Sequence, residues 1–127
     1  MTVLCNRRIL LTVLISLAAL GAENARLAGT WEAHATHEGR AQTWTFRFNV
    51  TGDSFTGTWQ SLGSDVVRQI QAGKINGNHI SFKTLRKDGR DGVLFDGTVS
   101  GDQMQLEVNN LGEGERTKVT AVRKKGD

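Results

Sequence analysis

Histidine is the side chain best suited to acid–base or metal chemistry near neutral pH, and the 127-residue chain has three histidines. His34 and His37 are three positions apart, so on a β-strand they point to opposite faces of the sheet. His79 belongs to a later segment, so the three side chains do not converge, and we expect neither a metal centre nor a cofactor. His37, assisted by Glu38 and Arg86, is the candidate acid–base group, but we find no nucleophile or phosphate-loop motif and assign no catalytic residue.

Residues 1–22 have the pattern of a secretory signal peptide. Arg7 and Arg8 precede an apolar run that ends at Leu20, and two small residues follow it. The run is shorter than the about 20 apolar residues of a comfortable membrane span, although an uncleaved anchor is the alternative. We therefore expect a secreted or periplasmic protein with a mature domain at 23–127. We expect no stable membrane insertion after cleavage.

Composition excludes several classes of function for the mature chain. The single cysteine, Cys5, lies in the predicted signal peptide, so the mature domain has no thiol for disulfides, nucleophilic catalysis or zinc binding. Removing Arg7 and Arg8 leaves 14 basic against 13 acidic residues. This near balance gives no reason to expect nucleic acid as a partner. The oligomeric state stays open.

The mature chain alternates apolar and polar residues with a period of two, which indicates β-strands. The clearest example is 44–50, where Trp44, Phe46, Phe48 and Val50 alternate with polar residues. Tight turns centred on Gly52, Gly77 and Gly101 recur about 24 residues apart. The alternation breaks near Ala72, and this break predicts a β-bulge at Gly73. Eight strands result.

An eight-stranded meander with one apolar face must cover that face. We predict an all-β fold in which eight antiparallel strands close into an up-and-down barrel, which removes both sheet edges. A two-sheet β-sandwich is the alternative. The short local connections and the lack of a long crossover favour the barrel.

The first and last strands carry a resemblance to a known superfamily. Gly29-Thr30-Trp31 opens the first strand, and Arg123 lies near the end of the last. In a closed barrel these strands are neighbours, so the guanidinium stacks on the indole. This pairing resembles the lipocalins and the wider calycin superfamily, and the short chain looks like the small lipocalin-like modules of secreted bacterial proteins. The resemblance implies that Trp31 and Arg123 close the barrel floor, whereas the Thr-Asp-Tyr motif of typical lipocalins is missing.

Polar side chains gather at the end of the barrel opposite this floor. We predict a ligand site there, beneath the longer loops, because an apolar pocket with a few polar groups is typical of small-ligand sites. The predicted site residues are His37, Gln42, Trp44, Trp59, Gln71, Thr84, Arg86, Asn110 and Thr117.

The leading functional hypothesis is the binding of a small hydrophobic or amphipathic ligand at this loop end. A non-catalytic surface module for glycans or proteins is one alternative, although Leu85, Leu94 and Val122 are the only large apolar residues on the predicted outer face. A small barrel cyclase or isomerase with His37 as base is the other. An eight-stranded barrel is just wide enough to be filled by its own side chains, so we expect a shallow cavity.

Overall fold

The computed structural model describes residues 25–125, which form a closed barrel of eight antiparallel strands in chain order. The strands are β1 (Gly29–His37), β2 (Arg40–Thr51), β3 (Ser54–Ser61), β4 (Val67–Asn76), β5 (His79–Leu85), β6 (Asp91–Ser100), β7 (Gln103–Asn110) and β8 (Glu115–Arg123). The predicted all-β meander and its closure are confirmed, and the chain does not form the alternative sandwich. The predicted signal peptide, residues 1–22, lies outside the described residues. Within residues 25–125, no helix has the length and hydropathy of a membrane span.

Alternating side chains decide which face of each strand is buried. In β2, Trp44, Phe46 and Phe48 are buried, and the residues between them point outward. The predicted tight turns at Gly52, Gly77 and Gly101 all have positive φ, as two-residue hairpin turns require. They define one end of the barrel, which we call the floor; the opposite end is the mouth.

The floor is closed by Trp31, Arg123 and the segment that precedes β1. Trp31 is fully buried, and the Arg123 guanidinium carbon lies 4.5 Å from its ring centre. Leu27 is also buried, and its carbonyl accepts a hydrogen bond from the Trp31 indole at 2.8 Å. Arg123 donates to the carbonyls of Arg26 and Ala28, so one side chain ties this segment to β8. Strand alternation does not identify residues 25–28 as part of the floor, because they precede the first strand.

Aromatic rings fill the barrel between floor and mouth. Phe82 and Phe95 stack with their ring centres 4.4 Å apart, and both meet Phe46 edge to face. Phe48 packs against Phe46 and Phe55, which extends the cluster towards the floor. The interior of this barrel is therefore occupied by its own side chains, as expected for eight strands.

β4 contains the predicted bulge, but its inward face differs from the prediction. Pairing with β5 shifts between Gln71 and Lys74, and Ala72 has a φ of 55°, in the left-handed region. Counting back from Ile75 in steps of two placed Gln71 inside the barrel. The bulge breaks that phase, so Ile70 is buried and Gln71 is exposed. The expected inward orientation of Gln71 is wrong for this reason.

The seam between β1 and β8 is paired only near the floor. Four residue pairs join the strands, from Trp31 opposite Arg123 to His34 opposite Thr120, whereas nine pairs join β1 to β2. Towards the mouth, a cavity of about 50 Å³ adjoins the two strand ends and is lined in part by Thr36 and Thr117; we call it the seam cavity. Backbone pairing between β1 and β8 therefore stops short of the mouth.

Candidate functional site

Three loops and one tight turn surround the mouth. The loops are 62–66, 86–90 and 111–114, between the strands that flank them. Between β1 and β2 the chain turns through Glu38 and Gly39 alone, both with positive φ. The sequence pattern predicts a longer polar connection here, over residues 38–41, but β1 extends to His37 and β2 begins at Arg40. A two-residue turn fixes the position of His37 more firmly than a loop would.

A cavity of about 240 Å³ opens at the mouth. It lies below the roughly 300–1,000 Å³ of pockets that enclose a drug-sized ligand. Its lining mixes two tryptophans, one valine and several polar side chains: His37, Gln42, Trp44, Trp59, Ser61, Ser64, Val66, Arg68 and Asn110. The site is therefore a shallow cup rather than an internal chamber.

Trp44 and Trp59 form the bottom of this cup. Their ring centres are 5.3 Å apart at an interplanar angle of 74°, and Trp59 stacks on Phe46 below. The Trp44 indole donates a hydrogen bond to the Gln42 side chain at 2.9 Å. In contrast, the Trp59 Nε1 atom is the one buried side-chain nitrogen or oxygen within residues 25–125 that has no hydrogen-bond partner. A buried donor without a partner lowers the stability of the fold, so the Trp59 N–H is a polar group that the protein itself leaves unsatisfied.

The structure brings six of the nine predicted site residues together. His37, Gln42, Trp44, Trp59 and Asn110 line the cup, and Thr117 lines the adjoining seam cavity.

The other three predicted site residues line neither cavity. Thr84 is fully buried within the barrel, and Gln71 is exposed on its outer face. Arg86 reaches towards the β7–β8 loop, where its guanidinium lies against Gly112. These placements remove three side chains from the predicted lining.

Arg68 is the site residue that the sequence analysis missed most clearly. It is opposite Trp59 in the β3–β4 ladder and lines the cup with Ser64 and Val66. Ile70 was the signal that could have found it, because a buried Ile70 requires Arg68, two positions earlier, to share its face. Arg68 gives the cup a cation near its aromatic bottom.

His37 stands beside acidic groups at the seam. Its Nε2 lies 3.4 Å from a carboxylate oxygen of Glu113, and its Nδ1 lies 3.6 Å from one of Glu115. Glu38 contributes a third carboxylate at 3.9 Å. The positions of the histidines predict that no three metal-ligating groups converge, and this prediction is wrong, because Glu113 of the β7–β8 loop and Glu115 at the start of β8 both meet His37 here.

The other two histidines lie away from the mouth cluster. His34 is exposed on the outside of β1, 3.6 Å from Glu32. His79 contacts Asp96 at 2.8 Å at the opposite end of the barrel from His37. The predicted separation of the three histidines is confirmed.

The β5–β6 loop at the mouth is ordered by a local ion pair. The Arg90 side chain donates to Asp88 at 2.9 Å, and the Arg90 backbone N–H donates to the same carboxylate at 3.0 Å. These hydrogen bonds, the side-chain bond first, hold the pKa of Asp88 below its usual value.

A second groove, of about 400 Å³, lies on the outer face of β5 to β8. Its charged side chains already pair within the chain: Lys83 contacts Asp91 at 2.9 Å, and Arg116 contacts Glu107 at 3.4 Å. These lining charges are therefore already neutralised within the chain.

Comparisons with known proteins support the fold alone. No protein-family model matches the chain, and no curated protein matches it. A solved structure described as a REP1-NXSQ fatty acid transporter is similar to it with a TM-score of 0.50 and 16% sequence identity. The similarity covers 79% of this chain and 97% of that one. At this level of identity the similarity concerns the fold, and the chain is similar in fold to a structure described as a fatty acid transporter.

Proposed function

We propose that this protein binds a small, partly apolar ligand in the cup at the barrel mouth. The observation that carries the proposal is the Trp44–Trp59 pair, which forms an aromatic bottom for a cavity of about 240 Å³. Tryptophan rings offer large apolar surfaces, and the surrounding Ser, Asn and His side chains can fix a polar group. Ligand binding at this end of the barrel is the function that this arrangement supports best.

Exposed apolar side chains around the mouth favour an amphipathic ligand. Five of the six large hydrophobic residues that are exposed within residues 25–125 lie at the mouth end: Leu62, Val66, Val67, Leu85 and Leu111. Leu62 alone is 80% exposed. An apolar tail of the ligand can cover these side chains, while its polar head meets Arg68 in the cup.

The filled interior limits how much of a long chain can enter. Phe46, Phe82 and Phe95 occupy the barrel directly below Trp59. A fatty acid, the cargo named for the similar structure, would place only its head and first carbons in the cup unless these rings moved. We infer a short amphipathic acid or a related small molecule rather than a fully enclosed long chain.

The proposal includes a lipocalin-like binding protein that acts outside the cytoplasm. The signal-peptide pattern of residues 1–22 supports the secreted or periplasmic setting, and the Trp31–Arg123 floor supports the lipocalin-like assignment. Fractionation of cells that express the full chain tests the setting: a purely cytoplasmic product of uncleaved mass would contradict it.

A ligand panel with a matched pair of variants tests the site. Octanoate, octanol, palmitate and a neutral sugar are screened by thermal shift, and binders are titrated by tryptophan fluorescence. Val66 lines the cup and its neighbour Val67 does not, although both are exposed. We expect Val66→Trp to weaken binding at least tenfold and Val67→Trp to leave it unchanged. Failure of every compound to bind, or equal effects of the two variants, would contradict the proposal.

A further inference from the structure

We propose that His37, Glu113 and Glu115 form a binding site for a divalent transition-metal ion at the seam between β1 and β8. Each residue offers one ligand atom, and these atoms all lie within 4.8 Å of one another. One imidazole nitrogen with two carboxylate oxygens is a donor set that suits Zn²⁺ and its neighbours in the first transition row. This site shares His37 with the lining of the cup, but its donor set does not depend on which ligand the cup binds.

The separation between His37 and Glu113 suits shared coordination better than a direct hydrogen bond. Two ligand atoms at about 2.0–2.2 Å from a tetrahedral Zn²⁺ lie roughly 3.3–3.5 Å apart. His37 Nε2 and the Glu113 carboxylate are 3.4 Å apart, whereas a charge-assisted N–H···O bond would be shorter, at about 2.7–2.9 Å. The Glu115 carboxylate lies 3.6 Å from the other ring nitrogen, Nδ1. An ion on Nε2 would therefore require the exposed Glu115 side chain to turn towards that nitrogen.

The charge around His37 also favours a bound cation. Three carboxylates, those of Glu38, Glu113 and Glu115, lie within 3.9 Å of the imidazole nitrogens. The ligand oxygens of Glu113 and Glu115 also lie within 4.8 Å of each other, and a divalent ion between them offsets the repulsion of their like charges. The histidine supplies the nitrogen donor that distinguishes this group from a purely acidic surface patch.

A metal ion at this position would link β1 to β8. Backbone pairing between β1 and β8 ends at His34 and Thr120, and the cluster lies across the unpaired strand ends nearer the mouth. Protein donors come from both sides: His37 from the end of β1, Glu115 from the start of β8 and Glu113 from the preceding loop. A bound ion would join the two strands where the ladder stops.

The donors are accessible and leave room for further ligands. The side chains of His37, Glu113 and Glu115 are 31%, 45% and 38% exposed. The seam cavity of about 50 Å³ adjoins His37 and Glu115. Three protein donors leave at least one position of a tetrahedral ion for water, as in open zinc sites.

Isothermal titration of the full chain with ZnCl₂ tests the proposal, with variants His37→Gln, Glu113→Gln and Glu115→Gln. The matched controls are His34→Gln, which alters an exposed histidine beside one carboxylate on the same strand, and Glu107→Gln, which alters an acidic residue on β7. We expect saturable binding of one ion per chain. Each site variant should weaken it at least tenfold, and the controls should not.

Two further readouts keep the test decisive. Thermal unfolding of every variant without metal shows whether it folds, and in the wild type Zn²⁺ should raise Tm because it binds only the folded site. Parallel titrations with Ca²⁺ and Mg²⁺ separate coordination by His37 from attraction to acidic groups. The proposal is overturned if Zn²⁺ shows no saturable binding, or if folded His37→Gln binds Zn²⁺ as the wild type does.

Discussion

The guanidinium carbon of Arg123 lies 4.5 Å from the centre of the Trp31 ring, and the two residues are direct partners in the ladder that closes the barrel. Arg123 also donates to the carbonyl of Ala28 at 2.6 Å and to Asp102 at 3.1 Å. One side chain thus joins the segment before β1, the β6–β7 turn and the buried indole. The seam is fixed at the floor and is more open at the mouth.

Replacement of Arg123 by alanine is expected to lower the free energy of unfolding by about 1–3 kcal/mol, because it removes the cation–π contact and charged hydrogen bonds to backbone carbonyls. Urea unfolding measures the change. Arg116→Ala, which removes an exposed arginine with one ion pair, is the control and should cost less than about 1 kcal/mol. Equal effects of the two variants would contradict the role assigned to Arg123.

Two tryptophans with different hydrogen bonding give a second prediction. The Trp31 N–H donates to Leu27 at 2.8 Å, whereas the Trp59 N–H is buried without a partner. Trp31→Phe should therefore destabilise the protein by about 1 kcal/mol more than Trp59→Phe, since only the first loses a hydrogen bond. Paired unfolding curves test this difference. A larger loss for Trp59→Phe would show that its N–H has a partner.

A substitution in the turn between β1 and β2 is expected to increase the stability of the fold. Glu38 and Gly39 have φ values of 52° and 78°, which suit an Asn-Gly type I′ turn better than Glu-Gly. Glu38→Asn should raise the free energy of unfolding by about 0.5–1 kcal/mol, because asparagine tolerates the left-handed region. Glu38→Ala removes the same charge without this tolerance and serves as the control. The account of the turn fails if the alanine variant is the more stable.

Close packing of β2 and β3 requires a glycine at position 57. A Cβ atom there would lie 1.8 Å from the carbonyl oxygen of Arg47. The strands must separate to admit it, so Gly57→Ala should cost at least about 2 kcal/mol. Thr56→Ala, at the exposed neighbouring position, should change stability by less than about 0.5 kcal/mol. Thermal unfolding of both variants checks the contrast.

Strand alternation was sufficient to predict the barrel and the Trp31–Arg123 pair at its floor. The period of two is strong in β2. Trp31 near the start of β1 and Arg123 at the end of β8 follow as neighbours once the barrel is assumed to close. Both inferences depend on local patterns repeated along the chain. The partial lining of the cup by His37, Gln42 and Asn110 followed from the same alternation.

Features that depend on bulges and loops could not be read from alternation. The bulge near Ala72 reversed the phase of the upper part of β4, which moved Gln71 outward and brought Arg68 into the cup. Glu113 and Glu115 approach His37 because the β7–β8 connection folds towards the seam, and a period of two does not specify the path of a loop. Leu27 precedes the first strand, so no strand pattern marked it as buried.

Amide chemical-shift mapping of the tightest binder from the ligand panel tests the central claim most directly. The account predicts shifts concentrated at the mouth, in Trp44, Trp59 and residues 61–68, with little change at Trp31 or in the outer groove beside Leu94. Shifts centred on the outer groove or on the floor, with the mouth unchanged, would contradict the claim that the cup is the binding site.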